Sequence, residues 1–246
     1  MEKRFNQGGM LLADYTWAKD IGTADTQTGF LEGGIQEGQV QDWDNIPAES
    51  SQLSYNVPHR FVLSYVLDLP FGQGKRFLGN STGVVNKAVS GWGFDGITTL
   101  QSGFPLVLTA QPTFISTNFG AGTPRPNVVP NCTKTVSGGA VARISNWFNT
   151  SCFAQPSNYG FGDENRVDSQ LRAGGIANSD VAVFKGTAIT EQINLQFRAE
   201  VFNLFNRVQF GYPSTVCCSN TNASFGVVSS QTNQPRIFQF ALRLNF

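Results

Sequence analysis

Six segments of the chain alternate apolar and polar side chains with a period of two, the pattern of an extended strand whose two faces meet different surroundings. In the last, Phe238, Phe240, Leu242, Leu244 and Phe246 point one way, and Gln239, Ala241, Arg243 and Asn245 the other. The segment before it sets Ile193, Leu195, Phe197, Ala199 and Val201 against Asn194, Gln196, Arg198 and Glu200. A run of polar and charged positions along one strand face is costly inside a soluble core but ordinary on the wall of a wet or plugged barrel lumen. Phe61, Leu63, Tyr65, Leu67 and Leu69 form a face opposite Val62, Ser64, Val66 and Asp68; Trp92, Phe94, Thr98 and Leu100 stand opposite Asp95, Thr99 and Gln101. Leu11, Ala13, Tyr15 and Trp17 alternate with Leu12, Asp14 and Thr16, and a shorter strand is expected over about Asp180 to Ala188. Ten or eleven residues at roughly 3.3 Å each span about 35 Å, enough for a tilted crossing of the hydrocarbon layer.

The connections alternate in length. Those at about 20–58, 110–179 and 205–235 are long; the few residues around Thr190 are short, and 70–90 is a broken turn punctuated by Pro70, Gly72, Gly74 and Gly79. The expected fold is therefore all-β: a transmembrane antiparallel β-barrel with about six strands, short periplasmic turns and long extracellular loops. Residues 1–246 form one segment of such a barrel. Glu2-Lys3-Arg4-Phe5 reads as the tail of a strand entering an Asn6-Gln7-Gly8-Gly9 turn. With no apolar core behind a basic end in residues 1–20, the start is expected to lie inside a longer protein.

Composition agrees with a wall between two solvents. Asp, Glu, Lys and Arg make up 14% of residues, against roughly 25% in soluble domains, while Phe alone contributes 21 residues. A net charge of zero supplies no field for nucleic acid, which is not an expected partner. The longest apolar runs, such as Phe61-Val62-Leu63, fall far short of the roughly 20 residues of a membrane helix. A soluble β-sandwich would use the same aromatics, but Arg198, Glu200 and Arg243 would be costly inside one. These three are expected to face the lumen, with Phe197, Phe240 and Leu242 facing lipid. Trp17, Trp92, Tyr65 and Tyr212 are candidates for aromatic girdles at strand ends.

No catalytic, cofactor or metal constellation emerges. His59 is the one histidine and has no second to work with, so a strand-start position near the rim is expected for it. Asp163, Glu164, Asn165 and Asp168, and separately Asp42-Trp43-Asp44-Asn45, lack the register of a calcium loop and read as solvated loop chemistry. Gly72-Gln73-Gly74-Lys75 lacks the spacing of a phosphate loop. Asn131-Cys132-Thr133 and Asn222-Ala223-Ser224 match glycosylation acceptors but fit the Asn- and Thr-rich composition. The four cysteines show no zinc spacing. Cys132 and Cys152 flank Trp147-Phe148 and are expected to form a disulfide in an oxidising compartment; the state of Cys217 and Cys218 is left open. From Trp147, Phe148, Phe153, Tyr159 and Phe161, part of the 110–179 loop is expected to fold over the barrel mouth.

Several stretches resemble one family. They are Tyr15-Thr16-Trp17-Ala18-Lys19, SYNVPHRFVLSYVLDLPFGQGKRF at 54–77, GWGFDGITTLQSGFPL at 91–106, ISNWFNTSCFAQP at 144–156, FRAEVFNLFNRVQFG at 197–211 and the terminal strand. Together they resemble the Oar-like, TonB-dependent-receptor-like outer-membrane proteins of acidobacterial type, and within them the last quarter or so of such a protein, in the C-terminal part of its barrel. The resemblance implies residence in the outer membrane of a Gram-negative bacterium and uptake of a substrate. As partners it implies lipid, the rest of the barrel and a plug, a TonB-type energising protein acting through segments beyond this chain, and the barrel-assembly machinery. It assigns Phe246 as the C-terminal aromatic read during assembly. The family bend stands here as Ala173-Gly174-Gly175, where glycine is expected to supply unusual dihedrals. A structural or adhesive surface protein that transports nothing is the alternative.

Overall fold

In the computed structural model, which describes residues 1–5, 8–25, 36–218 and 223–246, the alternating segments become neighbours in one antiparallel meander. A short strand β1 (Glu2–Arg4) pairs with β2 (Gly9–Trp17). A small pair, β3 (Ile21–Gly22) with β4 (Ser51–Gln52), precedes β5 (His59–Asp68), helix α1 (Gly83–Val89) and β6 (Trp92–Gln101). Helix α2 (Phe114–Asn118) and a second small pair, β7 (Asn127–Val128) with β8 (Phe153–Ala154), lead to the long strands β9 (Ile176–Ala188), β10 (Asn194–Phe202) and β11 (Ile237–Asn245). The main sheet runs β1-β2-β5-β6-β9-β10-β11. Among the described residues its outer edges, on β1 and β11, have no ladder partner.

Register keeps the two faces separate across strand boundaries, because directly opposed residues in an antiparallel ladder point the same way. Phe197 opposes Leu242, and Ala199 opposes Phe240; on the other face Glu200 opposes Gln239 and Gln196 opposes Arg243. The same parity carries through β9 and β6, where Asp95 opposes Ala182 and Ala182 opposes Glu200. Further along, Phe61 opposes both Tyr15 and Leu100. One face is thus mainly apolar from Tyr15 to Phe240, with Lys185, opposite Trp92 and Phe197, and the Thr98–Ser179 hydroxyl pair among its polar members; the other carries Asp14, Arg60, Asp68, Asp95, Asp180, Arg198, Glu200 and Arg243. A two-layer sandwich would need a second sheet of similar size, and the other sheets described have two strands each.

The buried apolar core lies in the connections and not against the sheet. Strand direction brings the connections 18–58, 102–175 and 203–236 to one end, where they form a cap. Its centre holds Leu106, Leu108, Trp147, Phe148, Phe153, Leu171 and Val228. Phe148 sits edge-on to Phe153 and Phe225, and Trp147 donates its indole N–H to the Arg172 carbonyl at 2.7 Å. Cys132 and Cys152 are bonded, with Cα atoms 5.4 Å apart, and Cys217 is bonded to Cys218.

Several expectations need correction. The penultimate long connection ends earlier than the alternation suggested: β9 starts at Ile176, where Ile176–Ser179 pair with Gln101–Thr98. Ala177-Asn178-Ser179 carry little periodic signal, so sheet pairing decides there. The 69–91 connection contains α1, whose last turn receives Lys185: its ammonium donates to the Lys87 and Ser90 carbonyls. Neither Gly174 nor Gly175 has a positive φ. Glycine is needed in this region for close approach instead: a Cβ at Gly103 would run into the Ala173 carbonyl, and one at Gly175 into that of Gln101. Tyr65 lies within β5, stacked on Phe94, and Tyr212 belongs to the cap, so only Trp17 and Trp92 of the four aromatics mark strand ends. Asn6, Gln7 and Asn222 lie outside the described residues.

Candidate functional site

Two surfaces carry chemistry: the polar face of the sheet and the cap above it. On the polar face, Arg198 of β10 donates from both terminal nitrogens to the two carboxylate oxygens of Asp95 on β6, at 2.7 and 2.9 Å, and from Nε to Glu200 at 2.6 Å. β9 lies between these strands, and its small Ala182 sits in the row joining Asp95 to Glu200. The long guanidinium therefore reaches across a whole strand. Bidentate, charge-assisted geometry is the stronger kind of ion pair, and it fixes the direction of the Arg198 side chain. Arg198 and Glu200 thus share one cluster, whereas Arg243 on β11 lies apart from it beside Gln196.

The polar face also holds an apolar patch. Met10 opposes Val66, and Leu12 opposes Ser64, which in turn opposes Ile97. These four apolar side chains are between 36% and 53% exposed although they share the face of Asp95 and Arg198. Phe246, beyond the end of β11, is almost fully exposed.

The cap is fastened by buried ions. Arg166 is fully buried and pairs with Asp25 at 2.6 Å, while donating to the carbonyls of Glu49, Gly38 and Gly22. One side chain from the 102–175 connection thereby gathers four residues of the 18–58 connection. Arg125 forks onto Glu49, which also accepts the backbone N–H groups of Gln41 and Asp42. Arg172 reaches Asn56, Gln52 and Gly103, and burial lowers its pKa from the usual value.

Glu164 and Asp168 were expected to be solvated; they are buried at 2% and 1% exposure, and Lys134 binds them at 2.6 and 2.8 Å. The reason is local: the Asp168 carboxylate also accepts the backbone N–H groups of Gln170 and Leu171, which folds the segment inward. Burial raises the Glu164 pKa, helped by the nearby charge of Asp168 and opposed by Lys134. For Lys134, burial alone would lower the pKa, but hydrogen bonds to Asp168 and Glu164 outweigh it and leave it raised. Sequence reasoning missed Arg125, Arg166, Arg172 and Lys134. The available signal was their scarcity: in a chain with few charges, a cation inside a long loop has a high chance of a dedicated partner.

His59 begins β5, and its Nδ1 lies 2.9 Å from the Tyr15 hydroxyl at the rim. Among the described residues, no three His, Cys, Asp or Glu side chains stand together as a metal-binding set.

Among known families, the model of the outer membrane beta barrel domain matches residues 1–239. No curated protein and no solved structure matches the chain.

Proposed function

The chain belongs to the outer membrane beta barrel domain family and resides in the outer membrane, and on that footing we propose that it forms the closing strands of a receptor or transporter barrel for solute uptake. Its apolar face meets lipid, and its polar face, with Arg198, Glu200 and Arg243, lines the lumen. The sheet itself calls for more strands: unpaired edges on β1 and β11 would leave backbone N–H and C=O groups unsatisfied in hydrocarbon, so the wall must continue. The resemblance to Oar-like, TonB-dependent-receptor-like proteins supports a larger polypeptide that supplies those strands, a plug and a segment for a TonB-type energising protein.

The observation that carries the receptor reading is the exposed patch of Met10, Leu12, Val66 and Ile97 on the polar face. An open water-filled pore gains nothing from four apolar side chains on its wall, whereas a folded plug docked there would cover them. The structured cap supports the same reading, since it holds a defined surface over the lumen entrance. A non-transporting adhesin accounts for the cap but leaves the inner patch unexplained.

Uptake of labelled peptides and glycans by cells carrying the complete protein, with and without the energising partner, tests the proposal. Uptake that depends on both the protein and the partner supports it. A barrel that inserts correctly but gives no partner-dependent uptake of any candidate favours the adhesive role.

A further inference from the structure

On the outer surface of the cap a groove of about 310 Å³ runs between the segment at Asp42 and the region around α2. Four aromatic rings border it: Trp43, Phe119, Tyr159 and Phe161, exposed at 65%, 74%, 76% and 46%. Phe114 braces two of them, with ring centroids 5.9 Å from Phe119 and 5.2 Å from Tyr159. The polar members of the lining are Gln41 and the carboxylates of Asp42 and Asp44, and among the described residues that line the groove none is basic. Four buried carboxylates of the cap, Asp25, Glu49, Glu164 and Asp168, each hold a Lys or Arg. The groove therefore combines uncovered rings with negative charge that no cation of its own lining offsets.

We propose that this groove is a binding site for an organic ammonium ion, held against the faces of Trp43, Phe119, Tyr159 and Phe161 and neutralised by Asp42 and Asp44. Aromatic faces carry negative electrostatic potential and attract a cation whose alkyl groups also bury apolar surface. The paired carboxylates supply the charge complement, and the absence of Lys or Arg in the lining removes competition for both. The rigidity of the site comes from below: the Asp42 carboxylate accepts the Asp44 N–H at 3.0 Å, and the Asp42 N–H donates to Glu49, itself clamped by Arg125. Small alkylated amines have this chemistry. Binding requires only the folded cap and does not rest on transport.

The test is a titration of the complete polypeptide in detergent micelles, following tryptophan fluorescence at constant ionic strength. Choline serves as the cationic probe and 3,3-dimethylbutanol as its uncharged isostere. Choline should give a saturable change that is lost in Trp43→Phe, and the isostere should bind at least about tenfold more weakly. Asp44→Asn, at an exposed position, should weaken choline by roughly three- to tenfold and leave the isostere unchanged. Tyr159→Ala should weaken both. Equal affinity for the two probes would overturn the proposal, as would no saturable choline signal, or tighter binding of a neutral oligosaccharide than of choline.

Discussion

Arg198 and Asp95 meet across a strand that belongs to neither, through two hydrogen bonds of 2.7 and 2.9 Å. Such a pair exists only if β6, β9 and β10 lie side by side in this register with the polar residues on one face. The pair is partly exposed, so its strength is that of a well-oriented surface bridge. A double-mutant cycle with Asp95→Asn and Arg198→Gln, read from urea unfolding of the inserted protein, should give a coupling of about 1 kcal/mol. Additive single-mutant effects would contradict an energetically coupled pair at these positions.

The Lys134 cluster predicts a pH signature. Lys134→Gln leaves Glu164 and Asp168 buried without their cation and should destabilise the cap by about 3–5 kcal/mol at neutral pH. Glu164 already has a raised folded pKa. A carboxyl whose folded pKa lies above its unfolded value takes up a proton more readily when folded, so stability rises as pH falls through that folded pKa and is lost as pH rises through it. The variant should therefore recover part of its loss when the pH is lowered from neutral through the raised Glu164 pKa into acid. Proteolysis of the cap at neutral and at acid pH checks this, and equal or greater susceptibility in acid contradicts it.

Breaking the Cys132–Cys152 bond by a double Cys→Ser change reopens a loop of 20 residues. In the chain-entropy estimate the cap should lose about 3 kcal/mol while the sheet keeps its pairing. Reduction of the unchanged protein should accelerate proteolysis between 132 and 152 without altering β content. If the strands melted together with the cap, the two would be one cooperative unit, contrary to this account.

The parts that were legible in the sequence and the parts that were not differ physically. Strand faces follow a local rule, so Phe238 to Phe246 and Ile193 to Val201 announced their periodicity, and β10 and β11 pair in the register that joins like with like. The short β1 was visible only as a charged tail before a glycine turn. The cap obeys no period. Its order comes from contacts such as Arg166 with Gly38, 128 residues apart, and Arg125 with Glu49, 76 apart. No spacing rule reaches that far. Acidic residues in a Gly- and Asn-rich stretch resemble solvated loop chemistry until their partner is known, which is why Glu164 and Asp168 were misread.

Phe246 lies beyond the last ladder pair and is almost fully exposed. It makes no pair in the β10–β11 ladder, so its removal should leave that ladder intact. If it serves recognition by the assembly machinery, deleting it should reduce the amount of inserted protein severalfold while inserted molecules keep their urea midpoint. An unchanged yield in the membrane would remove that role.

The central claim is that one face of β10 and β11 meets lipid and the other the lumen, and cysteine-accessibility scanning of 193–201 and 236–246 in the membrane-inserted protein tests it most directly. Positions 198, 200 and 243 should react with water-soluble reagents, and 197, 240 and 242 should be shielded. In line with this, Phe240→Arg should cost about 2–4 kcal/mol near mid-bilayer, and Arg243→Gln far less. Reaction at 197, 240 and 242 with protection at 198, 200 and 243 would invert the wall and contradict the account.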